Sequence, residues 1–135
     1  MGEQLLSLTD AVDAGSTAQA LEALHRLAGP GGRSAPEILG VLHRHFSNML
    51  RLDGADVSSG EEAAEVLGTR SAYVGKKAWS QARQLGSERV GQAIVLLAAA
   101  DLDVKGQSGL PPMTVLEILV ARLSRLVRQR AAARR

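Results

Sequence analysis

The 135-residue sequence contains no cysteine, which excludes disulfide frameworks, thiolate metal sites and cysteine nucleophiles together and fits a reducing compartment. Aromatic residues are almost absent: Phe46, Tyr73 and Trp79 make up 2% of the chain, while apolar residues make up 45%. The apolar content is therefore mostly Leu, Ala and Val. Leu and Ala favour helix, whereas strands draw on β-branched and aromatic residues, so composition points to an all-α fold. No apolar run approaches the ~18 residues needed to span a bilayer; the longest covers 93–100. No basic segment followed by an apolar stretch opens the chain, so a secretory signal is not expected and a cytoplasmic location is. The length suits one domain, expected over 1–135 with a basic, frayed tail at 129–135.

The constellations that carry catalysis are missing as well. His25, His43 and His45 are the only histidines. His43 and His45, two apart on a predicted helix, diverge by roughly 200° and cannot share a metal ion; they read as surface or rim residues. Gly75-Lys76 resembles the end of a phosphate-binding loop, but Gly68 lies seven residues before Gly75 instead of five, and Lys77 stands where that loop requires Ser or Thr. Asp101 and Asp103 diverge on a helix, and Asp101 precedes Lys105 by four residues, the favourable order for an ion pair. No catalytic, metal-binding or cofactor-binding residue is expected, and no cofactor.

What the sequence does contain is helix punctuation. Leu5, Leu8 and Val12 give a short first helix that Gly15 ends. Ser16 caps a second, with Ala20, Leu21, Leu24 and Leu27 on one face, stopped at Gly29-Pro30-Gly31-Gly32. Ser34-Ala35-Pro36-Glu37 is a capping box with proline in the first turn, and Ile38, Leu42, Phe46, Met49 and Leu50 carry the third helix to about Leu52. Ser59 through Glu62 reads as a second capping box, opening a short helix over 61–67. Ser71 caps the next, with Tyr73, Val74, Trp79 and Leu85. A helix over 88–105 follows, with Val90, Ala93, Ile94 and Leu97 in period and Val95, Leu96, Ala99 and Ala100 on other faces. A helix apolar nearly all round is buried on more than one side: either it crosses the centre of the fold or its outer side meets a partner. After Pro111-Pro112 the last helix carries a stripe of Val115, Leu116, Leu119, Val120, Leu123, Leu126 and Val127. The expected fold is a compact bundle of about five long and two short helices, with no solenoid repeat.

Charge is uneven. The formal net charge is +2, yet 113–135 hold six arginines and one acid, leaving the remainder slightly acidic. Cations in a last helix suit its negative end and also attract phosphate. Together with the helix–turn–helix-like stretch over 61–83, they define an alternative reading as a nucleic-acid-binding module, with Lys76, Lys77, Arg83, Arg122, Arg125 and Arg128 as candidate contacts.

Five segments in order resemble one family. Leu39-x-x-Leu42-x-Arg44-x-Phe46-x-x-x-Leu50-Arg51, Ala64-x-x-Leu67-Gly68, Lys76-Lys77 with Gln81-Ala82-Arg83, Ala99-Ala100-Asp101-Leu102-Asp103-Val104-Lys105-Gly106, and Glu117-x-Leu119-Val120-x-Arg122-Leu123 are similar to elements of the C-terminal collar domain of the bacterial DNA polymerase III delta subunit. The segment between Gly68 and Lys76 is slightly longer than in that family, with Ser71 in place of proline. The resemblance implies a non-catalytic domain of a longer protein. It would support loading of the sliding clamp onto primed DNA within a polymerase holoenzyme, and would join the tau/gamma and delta-prime subunits through a helical collar. The sliding clamp would be met only by a separate N-terminal domain, DNA only weakly or indirectly, and no membrane. Leu96, Ala99, Ala100, Asp103, Glu117 and Val120 are the candidate interface residues for these partners.

Overall fold

Seven helices account for the fold of the computed structural model, which describes the backbone of residues 2–133 and the side chains of residues 5 and 7–129. They are α1 (Gly2–Asp13), α2 (Thr17–Ala28), α3 (Ala35–Leu52), α4 (Gly60–Leu67), α5 (Ala72–Leu85), α6 (Ser87–Val104) and α7 (Pro112–Ala133). No strand occurs among the described residues. The side chains of the expected basic tail beyond Gln129 lie outside the described residues.

The caps form largely as the sequence dictates. The Ser16, Ser59 and Ser71 side chains accept the N–H groups of Gln19, Glu62 and Val74 at 3.4, 3.1 and 3.2 Å. At α3 the box is reciprocal: Glu37 N–H donates to Ser34 Oγ at 3.3 Å, and Ser34 N–H to Glu37 Oε1 at 3.1 Å. The Ser34 N–H, and after it the Ser34 hydroxyl, which also donates to Glu37 Oε1 at 3.1 Å, hold the Glu37 carboxyl below its ordinary range, with Arg33 adding a smaller pull. The box therefore contributes stability above the unfolded glutamate pKa, and that contribution is lost as pH falls through the lower folded value. The expected second box is only half formed. Ser59 caps α4, but the Glu62 carboxylate is taken by the Ser58 hydroxyl at 2.8 Å instead of turning back to Ser59 N–H.

The main core gathers α1, α2, α3, α6 and α7 around fully buried Leu8, Leu24, Leu42, Phe46, Leu97, Leu116 and Leu123. Each such side chain contributes about 2 kcal/mol by leaving water. Helices α4 and α5 pack on each other and on α3, with a smaller core of Leu52, Ala63 and Ala78 beside Trp79. A polar seam ties α7 to the α1–α2 turn: the Arg128 guanidinium donates to Gly15 O at 2.9 Å and Thr17 Oγ1 at 3.0 Å, and Thr17 meets buried Ser124 at 2.7 Å. Arg51 donates to the carbonyls of Val66 and Leu67, satisfying two acceptors left open at the end of α4.

His45 departs from its expected place at the rim. Its side chain is 17% exposed, and its Nε2 donates to Asp13 Oδ1 at 2.8 Å. Asp13, 4% exposed, closes α1 at the negative end of the helix dipole, where a carboxylate is disfavoured, and its Oδ2 has no partner among the described residues. His45→Ala is expected to lower stability by about 2 kcal/mol, because it strands the whole carboxyl. Removing both groups in Asp13→Ala/His45→Leu restores most of that loss, as urea denaturation of the single and double variants will show.

Candidate protein-docking surface

Helix α6 divides its apolar residues between two opposite faces. Val90, Ala93, Leu97 and Ala100 recur at helical spacing and are buried. Val95, Ala99 and Leu102, at i, i+4 and i+7, point the other way. Val95 is 67% and Leu102 49% exposed, so α6 does not cross the centre of the fold: it lies at the surface with one greasy side uncovered. Helix α7 runs alongside and adds Ile118, while Leu110 adds to it from the preceding loop; both are exposed.

Between the two helices runs a groove. At one end its walls are Leu96, Ala99, Ala100 and Asp103 from α6 and Ile118, Leu119 and Arg122 from α7. Leu96 and Arg122 continue into a second opening of about 670 Å³, lined by Glu88, Gln92, Val95, Arg125 and Leu126 among others. The arginines stand on the α7 wall; Asp103 and Glu88 mark opposite ends of the α6 wall. Among the described residues none of these four side chains has an ion-pair partner. An apolar stripe with a polar rim, continuous over two helices, is the form a protein-docking site takes.

Four of the six candidate interface residues, Leu96, Ala99, Ala100 and Asp103, come together here, Ala100 as a mostly buried part of the floor. The other two do not. Val120 has no exposed surface and packs in the main core. Glu117 sits on the flank of α7 that faces α2, where its carboxylate accepts from His25 Nε2 at 2.7 Å. Val120 belongs to the stripe that holds α7 onto the bundle, and Glu117 to the edge of α7 that packs against α2. Leu102, Leu110 and Ile118 are the residues that sequence reasoning missed; Val95 is legible there as lying off the main face of α6 but is not among the interface candidates. Ile118 carried a signal, being a branched apolar residue of α7 that falls outside the helix's own stripe.

The candidate nucleic-acid contacts are dispersed. Lys77 pairs with Asp10 of α1, and partial burial lowers its pKa from the ordinary lysine value. Arg128 is committed to Gly15 and Thr17. The Arg83 guanidinium lies over the Trp79 ring at 4.9 Å, lining a separate groove with Lys76. Arg122 and Arg125 belong to the α6–α7 groove. The first turn of α5, which would be the reading position of a helix–turn–helix, presents Tyr73 and Val74, which have no amide or guanidinium to address base edges.

The family model described as DNA polymerase III delta subunit, C-terminal domain, matches residues 3–123. Neither the search of curated proteins nor that of solved structures gives a match.

Proposed function

This chain belongs to the family formed by the C-terminal domain of the DNA polymerase III delta subunit, and on that premise we propose that it is a non-catalytic assembly domain whose α6–α7 face packs against a neighbour in the collar of the clamp loader. The partners are the tau/gamma and delta-prime subunits, the setting is cytoplasmic replication, and the contribution to clamp loading is to hold the subunits in a ring. The observation that carries this reading is the uncovered stripe of Val95, Ala99 and Leu102 beside Ile118. Leaving such a stripe in water forgoes about 25 cal/mol for each Å² of apolar surface, a cost that a permanent neighbour removes. No described helix is long and apolar enough to cross a membrane, so a bilayer-spanning role does not explain the stripe.

Size-exclusion chromatography of the chain mixed with tau/gamma or delta-prime at low micromolar concentration tests the proposal. Co-elution is expected for the unaltered chain. Val95→Glu/Ile118→Glu should abolish it at unchanged helicity, since both side chains are exposed. Absence of co-elution by the unaltered chain at that concentration defeats the proposal. Salt separates it from the nucleic-acid alternative. Binding that rests on phosphate contacts weakens by orders of magnitude between about 50 and about 200 mM salt, whereas docking through apolar surface changes little.

A further inference from the structure

The geometry points to a specific occupant of the α6–α7 groove: an amphipathic helix of a neighbouring protein in the collar whose flank over α7 carries two carboxylates, one for Arg122 and one for Arg125. The inference rests on the collar reading and adds the chemistry by which the partner is recognised.

The groove offers no unpaired backbone. Both walls are helices, whose N–H and C=O groups are already paired along their interiors, so an extended segment cannot add itself through main-chain bonds as it would at a sheet edge. Recognition must be by side chains. An apolar floor between two helical walls suits a helix that sets residues at i, i+3 or i+4, and i+7 into it. From Glu88 to Asp103 the α6 wall spans about 22 Å, room for roughly four turns.

The charges then choose the flank. Arg122 and Arg125 stand one helical turn apart on the α7 wall, so carboxylates spaced i and i+3 or i+4 on the occupant meet both. Neither guanidinium has an ion-pair partner among the described residues. Covering them with an uncharged or basic flank would leave two cations partly desolvated and unpaired. On the opposite wall, Asp103 and Glu88 repel an acidic flank and thereby fix which side of the occupant faces α7.

A second copy docking through this same α6–α7 face does not fit the description. Its α7 would bring arginine against arginine. Its α6 has no acid between Arg89 and Ala100, and of the two acids beyond, Asp101 is held by Lys105 at 2.8 Å. That face cannot set a carboxylate pair over the middle of the groove.

Two synthetic helical peptides with the same Leu/Ala stripe, one flanked by glutamates and one by lysines, test the inference by fluorescence anisotropy on the full chain. The glutamate peptide is expected to bind about tenfold more tightly, the combined effect of two ion pairs at a partly desolvated rim, and R122E/R125E is expected to invert the order. Both arginines are exposed, so the exchange should leave the fold intact, and R122Q/R125Q should equalise the two peptides without introducing new charge. Equal affinities, tighter binding of the lysine peptide, or binding of neither overturns the inference. Its failure and that of the collar reading are separable. If R122E/R125E still co-elutes with the collar partners while Val95→Glu/Ile118→Glu does not, the acidic flank is wrong and the collar reading stands. If the peptides discriminate but the unaltered chain fails to co-elute, the collar reading falls and the groove's preference for an acidic helix stands.

Discussion

Gly75→Ala is expected to destabilise the chain by about 3 kcal/mol, although the same exchange inside most helices stabilises by up to about 1 kcal/mol. Gly75 sits where α5 crosses α4. A Cβ built there falls 2.5 Å from the backbone nitrogen of Ala64 and 2.5 Å from the carbonyl oxygen of Gly60. Both obstacles are main chain and cannot rotate away. The crossing is tight from the other side too, since a Cβ on Gly60 would lie 2.7 Å from Lys76 Cβ. Relief requires α4 to lift off α5, opening the small core of Leu52, Ala63 and Ala78. Gly40 provides the contrast: it also lies within a helix, α3, but nothing stands within 4 Å of its would-be Cβ, so Gly40→Ala should stabilise by about 0.5–1 kcal/mol. Urea denaturation followed by circular dichroism reads both. Opposite shifts of the midpoint are predicted; a higher midpoint for Gly75→Ala would show that the two helices do not cross this closely.

Phe46→Ala is expected to cost about 3–5 kcal/mol. Phe46 is fully buried and is the one aromatic side chain among the described residues of the main core, with the His45 ring edge-on at 5.2 Å. Elsewhere that core is built of Leu, Ala, Val, Ile and Met, so no flat neighbour is available to slide into the space the ring leaves. Domains of this kind have total stabilities of about 5–15 kcal/mol, so the loss removes a large share, and a much lower melting temperature follows. Phe46→Leu, which keeps most of the volume, should cost about 1.5 kcal/mol or less. Equal losses for the two substitutions would contradict the packing described for α3.

These two positions also mark where the sequence is readable and where it is not. Phe46 announces itself by falling in register with Ile38, Leu42 and Met49, and the caps at Ser16, Ser34, Ser59 and Ser71 place four helix starts by local chemistry alone. Gly75, by its local sequence, is only a weak point in a helix. Its role depends on α4 approaching from fifteen residues earlier, a tertiary fact with no local trace. The half-formed box at Ser59 fails for a local reason instead, because the adjacent Ser58 competes for the Glu62 carboxylate. His45 looks peripheral in the sequence because its partner, Asp13, is thirty-two residues away. At the candidate surface, Val95 and Ala99 of α6 are legible because periodicity alone shows that one bundle cannot cover them as well as Val90, Ala93 and Leu97. Val120 and Glu117 are misassigned from sequence because a long apolar stripe does not reveal which of its edges faces α2 and which faces α6.

The absence of cysteine permits a direct test of whether the α6–α7 face is covered in the assembled complex. Ala99→Cys places a single thiol on the exposed stripe of α6, and Ser80→Cys places one on the exposed side of α5. Maleimide labelling of each variant, alone and within the assembled clamp loader, is read as the mass added to this chain. The account predicts that both thiols react freely in the isolated chain and that assembly slows Ala99→Cys at least about tenfold while leaving Ser80→Cys unchanged. An Ala99→Cys thiol that reacts as fast in the complex as alone would contradict it.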